Sequence, residues 1–545
     1  MKFSIVFAAV LLGVVCGFPE RHARSSSSSG SSSGSSEKKK QPHIVFLLSD
    51  NSGWADVEWN DQVGVMQTPN MNDLARNGVI LNQTYVQPVC TPTRAAFMTG
   101  YYPFRYGLGH AMIMPAQPSY LSREYKLLPE YLKELGYMNY MVGKWHLGFC
   151  RWDVTPTNRG FDSFYGIYNP LIDYYSQTVS IFDPVKQLFG QDPGETGLDF
   201  QDNTGTMFHH QGTHASEHTG KRAVELIKNH NPDVPMFLYM SFLLPHFPFQ
   251  APDRYTNMYA PLPVPGLQTY RGMISMLDEA IGNITKALKD NDMYEDTVIV
   301  YLSDNGGPWF FGSQWPLRGA GGSPFEGGVR STAFVHSPLL KKTGYVNNEL
   351  IHITDFHPTL LSLAGGDPDP NMDGMDVWET ISEDKSSPRT TALLHYDTHP
   401  VSPCTSIRVG RYKIIDGRYD VVRNITFNVD NLPSDSWFPP PELQNPDVPN
   451  VVAPKVGTQL FDIEADPREI NNLADSMPEK VTELLQIAED ITVGHRNPSI
   501  HSTTPTLPIP TSSSTAPGHQ DGVRNHCYEA MKYTTITPYT VEPAF

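Results

Sequence analysis

His43-Ile44-Val45-Phe46-Leu47-Leu48-Ser49-Asp50-Asn51 and, far down the chain, Thr297-Val298-Ile299-Val300-Tyr301-Leu302-Ser303-Asp304-Asn305 end in the same four letters, Leu-Ser-Asp-Asn. Each is a short, continuous apolar run, as expected for a strand buried on both faces. Between them Leu127 to Leu135 reads as a helix stopped by Gly136, followed by a strand over Tyr137 to Val142. Pro235 to Phe242 is another strand, and Met273, Leu277, Ile281, Ile284 and Leu288 recur at helical spacing. Helices alternating with buried strands predict an α/β fold with a large, mainly parallel sheet between helices.

The pattern thins after about Trp378. Short strands are expected at Ile407 to Val409 and Tyr412 to Ile415, with a proline-rich stretch around Phe438 to Pro441 and a helix over Pro478 to Ile491. The main domain is therefore placed at residues 43–390. A smaller C-terminal α+β domain is placed at 391–545, with a Ser/Thr/Pro-rich loop at 501–518.

Composition removes several classes. Hydrophobic residues at 39% rule out a wholly disordered chain of this length, 545 residues. Acidic groups outnumber basic ones 58 to 40, and a field of that sign repels phosphate backbones, so nucleic acid is not an expected partner. Five cysteines are too few for a disulfide-built scaffold.

The N-terminus predicts export. Lys2 precedes an apolar run from Ile5 to Val15, too short for a membrane span, and Val15-Cys16-Gly17 is a small-residue cleavage signal, so residues 1–17 read as a signal peptide. Residues 18–42 form a Ser/Gly-rich flexible segment, and no later run is long enough for a transmembrane segment. Cleavage leaves Cys90, Cys150, Cys404 and Cys527. Export gives meaning to the glycosylation sequons at Asn82, Asn283 and Asn424.

The repeated ending carries chemistry. In a parallel sheet both strand ends lie on one edge, where open α/β folds place their ligands. Asp50, Asn51, Asp304 and Asn305 offer oxygen ligands for calcium or magnesium, or they begin turns and cap helices. Cys90-Thr91-Pro92-Thr93-Arg94 sets a cysteine at the N-terminus of a helix running to Gly100, with an arginine one turn on, an arrangement suited to an oxyanion. A thiolate nucleophile and a disulfide cysteine are both open readings of Cys90, and neither accounts for the whole run Pro88 to Gly100.

That run resembles the signature of the sulfatase family, in which the cysteine is oxidised to formylglycine in the endoplasmic reticulum by a formylglycine-generating enzyme. Gly136-Tyr137-Met138-Asn139-Tyr140-Met141-Val142-Gly143-Lys144-Trp145-His146-Leu147-Gly148 resembles a second family motif. Pro245-His246, Asp304-Asn305-Gly306-Gly307, Glu326-Gly327-Gly328-Val329-Arg330 and Leu460-Phe461-Asp462 follow in family order. The chain is most similar to the arylsulfatase B, or N-acetylgalactosamine-4-sulfatase, group. The resemblance implies an alkaline-phosphatase-like fold and a secreted or lysosomal sulfuric ester hydrolase acting on a sulfated carbohydrate or aryl sulfate. It implies one calcium ion held by Asp50, Asn51, Cys90, Asp304 and Asn305, with Cys90 as formylglycine. Arg94 then holds the formylglycine hydrate, Lys144 binds sulfate, His246 serves the leaving oxygen and His146 accepts a proton.

Three positions depart from the family pattern. Asn51 stands where the family has a second aspartate, Gly321 where it has a second lysine, and Asn139 where it has serine or threonine. Asn51 and Gly321 together predict a weakened site, and Arg318 is the nearest cation in sequence that could replace the lost lysine. The rival reading is a catalytically weak or inactive sulfatase-like protein that binds sulfated glycans in the extracellular matrix. A phosphoesterase on the same fold is disfavoured by the Cys90 to Arg94 motif.

Overall fold

The strand His43–Ser49 lies at the centre of a ten-stranded sheet. It pairs in parallel with Thr297–Ser303 on one side and Met236–Ser241 on the other. Met138–Lys144 and Ser163–Ile167 continue the parallel block, and antiparallel strands extend it at both ends. The molecule is a computed structural model that describes residues 40–115, 117–181, 195–260, 262, 264–309, 311–399, 403–418 and 456–493. The signal peptide, almost all of the Ser/Gly segment, the Asn424 sequon, the proline-rich stretch, the 501–518 loop and Cys527 lie outside the described residues.

Alternation along the central strand explains its all-apolar sequence. Ile44, Phe46 and Leu48 pack on one face with Phe97, Leu128, Leu132 and Phe356, from the helices Cys90–Thr99, Leu128–Glu134 and Phe356–Leu363. Val45 and Leu47 pack on the other with Leu74, Ile227, Met273, Leu277 and Ile281, from the helices Pro69–Asn77, Ala215–Asn229 and Pro265–Asp290. A strand covered by helices on both sides has no polar face to display. The last helix extends further than its apolar spacing marks, because Pro265 opens it at the N1/N2 position, where the missing N–H costs nothing.

The short strands expected late in the chain form a separate four-stranded antiparallel sheet, Thr391–Asp397, Cys404–Val409, Tyr412–Arg418 and Val456–Asp462. The helix Pro478–Val493 covers it, with Leu484 and Ala488 against Leu393, Ile407, Ile414 and Leu460. A buried ion cluster ties this sheet to the rest. Lys413 Nζ lies 2.9 Å from both Glu326 Oε1 and Glu469 Oε1, and Tyr85 donates to Glu326 Oε2 at 2.7 Å. Asn139 donates to the carbonyls of Pro129 and Gly160, so it braces the loops around its own strand.

Candidate active site

Four parallel strands deliver the expected residues to one edge of the sheet. Ser49 is in register with Ser303, so Asp50 and Asp304 emerge side by side, and Asn51 N donates to Asp304 Oδ1 at 3.1 Å. Lys144 ends the strand Met138–Lys144, with His146 two residues beyond, and His246 follows Met236–Ser241. This is the carboxyl edge at which open α/β sheets place ligands.

Cys90 is the first residue of the helix Cys90–Thr99 and is 3% exposed. No side chain caps that helix, so its first N–H groups and its dipole remain available to an anion. Cys90 Sγ lies 3.6 Å from Asp50 Oδ1 and 3.8 Å from Asn51 Oδ1. Burial first, and Asp304 second, hold its thiol pKa well above the usual value.

Arg94 spans the site from beneath. Its Nε and NH2 donate to Asp304 Oδ2 at 3.1 and 2.8 Å, and its NH1 reaches the Lys144 carbonyl at 3.1 Å and Ser241 Oγ at 2.5 Å. Burial works against the guanidinium charge, but Asp304 and Asp50 override it, and the arginine pKa rises. Lys144 Nζ donates to Asp50 Oδ2 at 2.7 Å. Burial and the charge on Asp50 together push the Asp304 carboxyl pKa up, against Arg94 and Lys144.

The two histidines differ in which nitrogen is engaged. His146 Nε2 sits 2.8 Å from the Ile113 carbonyl, so that nitrogen carries the hydrogen and the buried Nδ1 is left with no partner among the described residues. His246 Nδ1 lies 2.5 Å from the Phe247 carbonyl, which leaves Nε2 with the lone pair. Burial, followed by the charge on Lys144, depresses both, His246 to about 3. Both imidazoles are neutral at physiological pH.

The oxygens present suit a hard cation. Asn305 Nδ2 is committed to Asn51 Oδ1 at 2.6 Å and to the Gly306 carbonyl at 2.8 Å, and Asn305 Oδ1 is buried without a partner among the described residues. An orphaned amide oxygen beside Asp50, Asn51 and Asp304 gives the all-oxygen donor set that calcium or magnesium prefers. Asn51 holds φ 69°, a left-handed conformation that asparagine and aspartate tolerate best.

The position of the missing lysine is filled. A Cβ on Gly321 would stand 2.5 Å from the Gly306 carbonyl oxygen, and Gly321 N donates to the Gly307 carbonyl at 2.9 Å. The strands of this loop touch backbone to backbone, and only glycine fits. Arg318 does not replace the lysine. It is buried against the C-terminal sheet, donating to Gln459 Oε1 at 3.0 Å and the Glu469 carbonyl at 3.2 Å, with its guanidinium 4.0 Å above the Phe325 ring.

Sequence reasoning missed Ser241, whose Oγ accepts from Arg94 and donates to the Lys144 carbonyl at 2.7 Å. A lone serine closing a buried apolar strand was the available signal. It also missed Tyr270 on a distant helix, whose hydroxyl donates to Asp56 Oδ2 at 2.5 Å and lies 3.1 Å from the Asn51 carbonyl oxygen.

The chain belongs to the sulfatase family, whose family model matches residues 42–366 and so takes in the central parallel sheet and this constellation at its carboxyl edge. It is 39% identical to arylsulfatase J of Mus musculus over 82% of this chain and 75% of that protein. It is 30% identical to N-acetylgalactosamine-6-sulfatase of Mus musculus over 68% and 71% of the two chains. Among solved structures it is similar to Ps i-CgsB in complex with k-i-k-neocarrahexaose, with a TM-score of 0.67 and 26% identity over 84% of this chain and 94% of that one.

Proposed function

We propose that the chain is an exported hydrolase of sulfate esters, carried on sulfated sugars, glycosaminoglycans or aryl alcohols, that works through formylglycine made from Cys90 and one bound calcium ion. The observation that carries the reading is the setting of Cys90, first in a buried helix, 3.6 Å from the Asp50 carboxylate, with the fixed charges of Arg94 and Lys144 around it. Formylglycine hydrate would supply the attacking hydroxyl and calcium would polarise the sulfate. Cys90 Sγ stands here where a hydrate oxygen would be.

The chain's own groups divide the remaining work. Arg94 holds the nucleophile's side of the site, and Lys144 gives a point charge to the sulfate oxygens as they gain charge. His246 turns Nε2 toward the leaving oxygen, and the negative charge of a bound sulfate ester raises its proton affinity from the depressed value. His146 Nδ1, buried and unpaired, accepts the proton whose removal frees sulfate. Asp50, Asn51, Asp304 and Asn305 hold the cation.

Export through the endoplasmic reticulum, to the extracellular space or the lysosome, is supported by the N-terminal apolar run and by the sequon residue Asn283, which is exposed. No helix among the described residues is long and apolar enough to cross a membrane. A sulfated sugar is supported by the substrate classes in the names of the relatives. A second reading, a weak or inactive protein that retains sulfated glycans, is favoured by the closed backbone at Gly321. Turnover of a generic aryl sulfate by protein secreted from a eukaryotic host, set against Cys90→Ala, decides between them. Turnover lost in the variant supports the enzyme. Wild type no faster than the variant, with sulfated glycan still bound, supports the second reading.

A further inference from the structure

On the proposed reading Cys90 has two chemical states, thiol before conversion and aldehyde hydrate after, and the atoms around it would treat the two differently. Cys90 Sγ, an Asp50 carboxylate oxygen and a His246 ring nitrogen all lie within 4.8 Å of one another. Ligands of a tetrahedral zinc ion bound at 2.0–2.3 Å stand roughly 3.3–3.8 Å apart, so a small closure brings all three onto one ion. We propose that the thiol form of this chain binds one zinc-class divalent cation through Cys90 Sγ, Asp50 Oδ1 and His246 Nε2.

Each ligand is prepared for that role. His246 Nδ1 is committed to the Phe247 carbonyl at 2.5 Å, which orients the ring and leaves Nε2 as the free lone pair. A backbone carbonyl on the far nitrogen is the usual support of a metal-bound histidine. Asp50 splits its oxygens: Oδ2 keeps Lys144 at 2.7 Å while Oδ1 turns to Cys90 at 3.6 Å. The ion can therefore be taken up without breaking the lysine pair. Binding forms the metal–sulfur bond and releases the thiol proton to solvent. The Asp50–Lys144 and Asp304–Arg94 charges already balance, so the dication and the new thiolate leave the loaded site with one net positive charge. His246 is partly exposed, which gives the ion an entry path.

The state of Cys90 would then select the metal. Sulfur and imidazole nitrogen favour a softer ion, whereas the oxygens of Asn51, Asp304 and Asn305 favour a hard one. Conversion removes the sulfur and with it the zinc site. The proposal rests on donor geometry in the thiol form, so a failed turnover assay leaves it standing, and its own failure leaves the sulfatase reading intact.

The test uses the full chain made in a host that leaves Cys90 as a thiol, verified by mass spectrometry, with Co2+ as the probe. The expected result is one equivalent bound with a thiolate-to-cobalt charge-transfer band that Zn2+ abolishes. The band should vanish in Cys90→Ser and in His246→Ala. His246→Gln, which keeps the side-chain bulk, covers the case in which the alanine variant does not fold. The band should persist when His210 and His218, whose rings lie 4.2 Å apart elsewhere on the molecule, are both changed to Ala. No bound cobalt, cobalt without the charge-transfer band, or a band that survives both His246 changes overturns the proposal.

Discussion

Lys144 Nζ lies 2.7 Å from Asp50 Oδ2, with side chains 0% and 1% exposed. Arg94 matches Asp304 in the same way, at 2.8 Å. Two buried carboxylates thus face two buried cations, and every charge in the floor of the site has a partner. The departures at Asn51 and Gly321 preserve that parity, since one removes a family acid and the other a family base.

Peptide mass spectrometry of protein secreted from a eukaryotic host should find Cys90 as an aldehyde. A thiol in every molecule would remove the catalytic reading, because a thiol lacks the second hydroxyl whose deprotonation would expel sulfate.

Arg94→Ala should cost about 3–5 kcal/mol of stability, because it strands Asp304 and Asp50 as buried charges short of a partner. Chemical denaturation measures this directly. A loss below about 1 kcal/mol, the scale of an exposed pair, would show that water reaches these carboxylates in solution.

Asn51→Asp should tighten calcium on the order of tenfold by adding a charged ligand. The readout is the dependence of Tm on calcium concentration. Without calcium the variant should melt lower than wild type, because the new carboxylate joins Asp50 and Asp304 in a buried space. Equal calcium responses would exclude Asn51 as a ligand.

Gly321→Lys should not restore a family site. Its Cβ meets the Gly306 carbonyl oxygen at 2.5 Å, so the loop must move, at about 1–3 kcal/mol. Gly321→Ala should show the same loss in thermal denaturation. A lysine variant that is both as stable as wild type and faster on an aryl sulfate would mean that the loop opens readily.

Glu469 should make stability fall as pH rises. Burial, and the neighbouring Glu326 charge, push its pKa from 4.5 to about 7 despite Lys413. A carboxyl raised on folding holds its proton more tightly in the native state. Its contribution is therefore full below about pH 4.5 and is lost as pH climbs through 7. Glu326 shifts the other way: burial, the largest single influence, opposes its charge, but Lys413, Arg330 and Arg408 together outweigh it and its pKa is lowered, so its contribution fades only below pH 4.5. Thermal melts from pH 5 to 8 should fall in wild type, and the slope should flatten in Glu469→Gln. Equal slopes would locate the proton elsewhere.

Much of the fold was legible because local pattern and tertiary demand agree. The strands at His43 and Thr297 read as buried because helices cover both their faces, and their shared Leu-Ser-Asp-Asn ending reads as one site because the strands are parallel and in register. Cys90, Arg94, Lys144 and His146 could be named because each lies in a dense motif. What could not be read depends on chain segments distant in sequence. Ser241 matters only because Arg94 and the Lys144 carbonyl converge on it, and its one local sign is a lone serine at the end of an apolar strand. The fate of Arg318 is set by Gln459 and Glu469 in the C-terminal sheet. Gly321 looked like a deleted cation, yet its size is dictated by the carbonyl of Gly306.

The helix that begins at Cys90 is buried along its whole length. A second protein needs several extended residues on either side of a cysteine to seat it in an active site, and the folded chain offers none here. On the proposed formylglycine reading, oxidation of Cys90 therefore competes with a clock. It has to happen while the segment from Pro88 to Gly100 is still unpacked, before the strand ending in Asp304 arrives and closes on Arg94. A chain that folds first is committed to its thiol for life, and slower folding, through a destabilised helix or a cooler culture, should raise the fraction that matures.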